Sequence, residues 1–219
     1  MILFASVIVL AFVIGFIAGG HLSGFESVQV RWWALALIGL GVQFIPLPEG
    51  EGGTDLAVRT IVLALSYALL LAFAIKNVRM PGVALILVGL ALNTAVIVSN
   101  GGMPVSAEAL RTSDQTEVLE DLQQAGADKH HLETADDALT PLGDVVGIPP
   151  PVAQAVSIGD VLVYAGLMWF VISAMRGRIR PSSSDAPGYR GKHRSGEPSA
   201  SPGRHAQGLP AATTSGTEP

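Results

Sequence analysis

Two aspartates stand in matching tripeptides, Gly143-Asp144-Val145 and Gly159-Asp160-Val161. The fifteen residues between them carry no charge and include three consecutive prolines, Pro149–Pro151. Proline removes a backbone donor and forbids regular helix, so the run from Val145 to Ser157 is expected to turn at this point. A turn there brings Asp144 back beside Asp160. Two carboxylates in a poorly hydrated place cannot both ionise easily, and the pair can share a proton. That is the chemistry of an aspartyl dyad, and it makes Asp144 and Asp160 candidate catalytic residues. Asp160 also has a structural account. Ser157-x-x-Asp160 is a capping arrangement, and a carboxylate in the first turn meets the positive end of the helix dipole.

A second group of residues has the chemistry of a binding surface. His130 and His131 are followed by Glu133, Asp136 and Asp137. Adjacent side chains point about 100° apart on a helix and to opposite faces of a strand. The two histidines therefore chelate poorly; no metal is expected, and a polar surface turn accounts for them. Together with Asn100, Gly101, Gly102 and Pro104 of the NGGMPV run at 100–105, and with Asp144 and Asp160, they make up the expected binding residues. No cofactor is expected. Asn93 is an amide deep inside an apolar run, with Gln43 its counterpart fifty residues earlier. Each is expected to form a helix–helix hydrogen bond.

The elements that position these groups are set by hydropathy. Charged residues make up 14% of the 219, against about 25% in soluble domains. The deficit lies in long uncharged runs, several of which approach the roughly 20 apolar residues that cross a bilayer core. We expect an all-α integral membrane protein with about five transmembrane helices, at 1–20, 31–47, 56–75, 82–98 and 158–175. Ala11, Gly15 and Gly19 in the first, and Ala64, Ala68 and Ala72 in the third, recur at four-residue spacing and offer close-packing ladders. Arg59 falls in the first turn of the third span, where it can snorkel outward. ALALIGLGVQ (34–43) resembles ALILVGLALN (84–93), a pattern that a duplicated helix pair would leave. The membrane domain occupies 1–175, and 176–219 is expected to be a disordered basic tail. There is no cysteine, which excludes disulfides and thiolate chemistry.

Orientation follows from lysine and arginine near the span ends. Arg31, Lys76, Arg79, Arg176, Arg178 and Arg180 flank one side. This places the C-terminus in the cytoplasm, with the N-terminus and residues 100–157 outside. That segment, with ten acids and two bases, is expected to be an ordered external module between the fourth and fifth spans. Asp114-x-x-Glu117 reads as the start of a short amphipathic helix carrying Val118, Leu119, Leu122 and Ala125 on one face and stopping at Gly126. The expected partners are the lipid bilayer and either another membrane protein or a second copy of the chain; nucleic acid is not expected.

Two resemblances bear on function. Asp160, with Gly166 six residues on, looks like the second aspartate motif of bacterial lipoprotein signal peptidases, intramembrane aspartyl hydrolases. LGDVVG (142–147) is similar to their first motif only in its Leu-Gly. Asp144 stands where that motif has asparagine, Gly147 where it has the catalytic aspartate, and Ser157 where an asparagine precedes the second motif. A broader resemblance covers residues 1–175. The Trp-Trp after a basic residue, NGGMPV, the His-His pair and LGDV…IPPP…SIGDV look like a family of multi-pass bacterial membrane proteins known only as a domain of unknown function. It implies a bacterial cell membrane protein and no activity. The expected function is thus a non-enzymatic envelope protein presenting an acidic module to a ligand or partner. The alternatives are the aspartyl hydrolase and a small transporter using Gln43 and Asn93.

Overall fold

A computed structural model describes residues 2–45, 53–124 and 129–179. The expected loop at 48–55 lies largely outside them, as do Ala125, Gly126, Arg180 and the expected disordered tail from 180 on. The described chain is mostly helical. Its long helices are α1 (Ile2–Ile17), α2 (Trp33–Val42), α3 (Gly53–Asn77), α4 (Val83–Asn100) and α7 (Ile158–Met175). Three stretches, Ala57–Asn77, Val83–Asn100 and Ile158–Met175, are long and apolar enough to cross a membrane. The other two are shorter. At 1.5 Å per residue, the ten residues of α2 cover about 15 Å, half of a bilayer core. The second span expected at 31–47 is helical over Trp33–Val42 alone among the described residues.

The helices pack side by side in the order α1, α7, α4, α3, α2. Glycine lets backbones approach along this row. A Cβ on Gly89 of α4 would strike the Gly159 carbonyl of α7, and one on Gly82 would strike the Gly166 carbonyl. On α1, Ala11 and Gly15 of the expected ladder are buried against α7, with Met175 filling the notch at Gly15, while Gly19 is exposed. The ladder expected on α3 is not its packing face. Leu63, Ser66, Leu70 and Ala74 are buried, whereas Ala68 is exposed. The partner decides this: Leu70 fills the notch left by Gly39 of α2, and the Ser66 hydroxyl donates to the Gly39 carbonyl at 2.8 Å.

One end of the bundle gathers the C-termini of α1, α3 and α7 and the N-termini of α2 and α4. There the Asn77 side chain accepts from the Arg31 N–H at 2.9 Å and donates to the Arg31 carbonyl at 2.8 Å. The Lys76 ammonium lies 4.5 Å above the Trp32 ring. The His21 N–H donates to the Met175 carbonyl, and Ser27 donates to the Ile179 carbonyl at 3.1 Å. Residues 176–179, expected to begin a disordered tail, are therefore tied back to the bundle. At the opposite end Arg59 does not snorkel. It is 5% exposed and donates through Nε to the Gly101 carbonyl at 3.1 Å, a cation at the negative end of α4. Helix α3 starts at Gly53, which places Arg59 in its second turn and inside the bundle.

Between α4 and α7 lies an insertion that departs from the all-α expectation. It holds β1 (Met103–Val105), α5 (Ala107–Thr112), α6 (Thr116–Gln124), β2 (His130–Leu132), β3 (Val146–Ile148) and β4 (Gln154–Val156). Strand β1 pairs parallel with β2, Pro104 opposite His131. Strands β3 and β4 form an antiparallel hairpin that turns at the three prolines. Val105, Leu110 and Leu119 form a small apolar core, with Leu122, Leu132 and Ala155 packed on it. The amphipathic helix exists as α6, but Asp114 does not start it. Asp114 has φ 57° and closes α5, a separate short helix that precedes α6.

Candidate functional site

The insertion and the start of α7 enclose a cavity of about 390 Å³, lined by Val105, Leu110, Gln115, Val118, Leu122, His130, Asp144, Gln154, Ala155 and Asp160. Both aspartates of the Gly-Asp-Val motifs thus line one space, but they are held differently.

Asp160 is the third residue of α7. Its backbone N–H donates to the Ser157 hydroxyl at 3.0 Å, and its carboxylate accepts from the Ser157 N–H at 3.3 Å, closing the capping box. Its other oxygen accepts from Asn93 Nδ2 of α4 at 2.8 Å. The Ser157 hydroxyl in turn donates to Asn93 Oδ1 at 2.9 Å. Asn93 and Ser157 are 3% and 0% exposed. The expected helix–helix amide bond therefore exists, and its partner is the acid itself. Gln43 ends α2, and its carbonyl accepts from Lys129 of the insertion.

Asp144 is held through its backbone. Its N–H donates to the Pro104 carbonyl at 3.0 Å and its carbonyl accepts from the Ser106 N–H at 3.1 Å, so it runs alongside β1. Its side chain is buried. Oδ2 stands 3.7 Å from His130 Nε2, beyond hydrogen-bond reach. Oδ1 is the one buried side-chain polar atom without a hydrogen-bond partner among the described residues. Burial pushes the Asp144 carboxyl from 3.8 up to about 8, and the charge of Asp160 adds to the effect.

Strand geometry separates the histidines. His130 faces Asp144, while His131 Nε2 lies 2.9 Å from Asp137 Oδ1. They form a strand rather than the expected surface turn, because β1 supplies a pairing edge. Burial pushes the Asp137 carboxyl up. Donation from the Thr134 N–H and hydroxyl, and the bond to His131, outweigh this and hold it below its usual range. Among the described residues no cluster of three or more histidine or acidic side chains is arranged to hold a metal ion.

The remaining expected binding residues lie outside the cavity lining. Asn100 donates to the Ala138 carbonyl at 2.9 Å and accepts from the Ala138 N–H at 2.8 Å, stapling the insertion to the end of α4. Gly101 has φ 71° and ends α4. Gly102 and Pro104 are buried, and Pro104 pairs with His131 of β2. None of these four lines the cavity. Gln115 and Gln154 do line it and were not foreseen. Gln115 Oε1 accepts from the Ala155 N–H at 3.0 Å and fixes the hairpin. Gln154 had a visible signal, as the single amide in the uncharged run 145–156.

Comparison with known proteins agrees with the motif resemblance. A family described as a family of unknown function, DUF5317, matches residues 27–172. An uncharacterized protein of Thermotoga maritima is 31% identical over 127 residues, 57% of this chain and 70% of the relative. No solved structure matches the chain. The match takes in α2 to α7 and both Gly-Asp-Val motifs, and the chain belongs to this family of unknown function, DUF5317.

Proposed function

We propose that the chain is a multi-pass protein of a bacterial cell membrane whose α4–α7 insertion binds a ligand outside the cytoplasm, without catalysis. In this reading α1 and α2 join the three long helices to make five spans. The N-terminus lies outside and the C-terminus inside. The outward faces of α1 and α2 support it, since Ile2, Phe4, Val9, Val13, Phe16, Leu37, Ile38 and Leu40 are exposed and suit lipid. The cations support the orientation. Arg31, Lys76, Arg79, Arg176 and Arg178 sit at the bundle end remote from the insertion, and such residues stay in the cytosol. The bilayer would be one partner, and another membrane protein or a second copy could dock on the same helices.

The observation that carries the ligand reading is Asp144 Oδ1. A buried polar atom without a partner costs stability, and this one belongs to a residue lining a cavity of about 390 Å³, within the range of small-molecule sites. The chain has no cysteine, so orientation can be read from single cysteines introduced at the exposed positions Asp136 and Arg178. An impermeant maleimide added to intact cells should label Asp136→Cys and spare Arg178→Cys. The reverse pattern would overturn the arrangement.

One observation favours a second reading, an intramembrane aspartyl hydrolase: Asp144 and Asp160 line the same cavity. It requires the two carboxyls to act on one water. Turnover lost in both Asp144→Asn and Asp160→Asn at unchanged abundance would support it. Transport through Gln43 and Asn93 has less support, because Asn93 is engaged by Asp160 and Ser157.

A further inference from the structure

We infer that the cavity takes a cationic nitrogen, an ammonium or guanidinium, carried on a small apolar body. This rests on the ligand-binding reading above and specifies its chemistry. The polar lining of the cavity includes two acids. Asp144, 6% exposed, carries an oxygen without a hydrogen-bond partner, and Asp160 lines the same space. Among the described residues, no lysine or arginine lines it. Lys129, next in sequence to His130, points its ammonium to the Gln43 carbonyl instead. An anionic ligand would meet one carboxylate and a second acid with no cation to offset them. The lining is otherwise largely apolar, with Val105, Leu110, Val118, Leu122 and Ala155.

Among the described residues, the ionisable groups placed near Asp144 are His130 on β2, Asp160 and Tyr164 on α7, and Tyr67 on α3. No lysine or arginine is among these four. A bound ammonium supplies a positive charge. It donates to the Asp144 carboxylate and stabilises its ionised form. The proton that Asp144 carries in the empty site then leaves to solvent, so binding and proton release are linked.

The test uses the full chain in lipid nanodiscs at pH 7 with three probes of one tail length: hexylamine, hexanol and hexanoate. Calorimetry in buffers of different ionisation enthalpy reads affinity and protons together. Hexylamine, protonated at this pH, should saturate a site with roughly tenfold or more preference over hexanol. It should release about one proton. Asp144→Asn should remove the preference and the proton release. Val118→Trp, at the cavity wall, should remove saturable binding of every probe. Equal affinity for hexylamine and hexanol without proton release would overturn the cationic class and leave the ligand cavity standing. Tightest binding of hexanoate would overturn it too. If no probe saturates, or Val118→Trp changes nothing, the ligand reading falls as well. The probe series on the unmodified chain decides the matter even if Asp144→Asn fails to fold.

Discussion

Replacing Asp144 by asparagine should flatten the pH dependence of stability. The native carboxyl is buried, Oδ1 has no partner, and burial followed by the charge of Asp160 raises its pKa from 3.8 to about 8. Below about pH 4 the folded and unfolded carboxyls both hold the proton, and Asp144 costs nothing. Between about 4 and 8 the unfolded chain ionises while the native site keeps its proton. The unfolded state then binds fewer protons, so stability falls as pH rises, by at most about 1.4 kcal/mol per pH unit. Above about 8 the loss is complete. The full gap amounts to about 6 kcal/mol. His130 at 3.7 Å and water entering the cavity lessen it, and about 2–3 kcal/mol is the working figure. At roughly 2–4 °C per kcal/mol for a chain of this size, wild-type Tm should drop by roughly 5–10 °C between pH 5 and pH 8.5. Asparagine has the same shape and no proton to lose, so the variant should keep less than about half of that drop. Thermal unfolding in detergent, followed by tryptophan fluorescence, reads both curves, and the other titrating groups cancel in the difference. Parallel curves would refute the reasoning, since they would mean that Asp144 is already ionised in the folded protein.

Asn93→Ala should cost about 2–3 kcal/mol, because it strips a donor from Asp160 and an acceptor from Ser157 in a site closed to water; a loss of Tm below about 2 °C would show that this amide does not join α4 to α7. Gly159→Ala should cost about 1–3 kcal/mol by overpacking, since its Cβ would lie 2.6 Å from Asn93 Cγ and 2.7 Å from the Gly89 carbonyl. In the double variant with Asn93→Ala one of those two clashes is gone, so the penalties should sum to less than their separate values; strict additivity in the same unfolding assay would place the clash elsewhere.

What the sequence revealed about this protein depends on how far apart the interacting residues lie. Ser157 and Asp160 are three residues apart, and their capping box is formed as the spacing indicated. The apolar runs and the proline turn are likewise local signals, and they locate α1, α4, α7 and the β3–β4 hairpin. Strands β1 and β2 have three residues each, too few to show a two-residue alternation, and they pair across a gap that contains two helices. Arg59 is mistaken for a snorkelling residue because its acceptor, the Gly101 carbonyl, is 42 positions away. The two Gly-Asp-Val motifs follow the same rule. Identical tripeptides give one acid whose oxygens are both engaged, because Asn93 arrives from α4, and one acid with an oxygen that has no hydrogen-bond partner, because β1 meets it through the backbone. The difference in their surroundings is therefore set by α4 and β1, elements that lie outside both motifs.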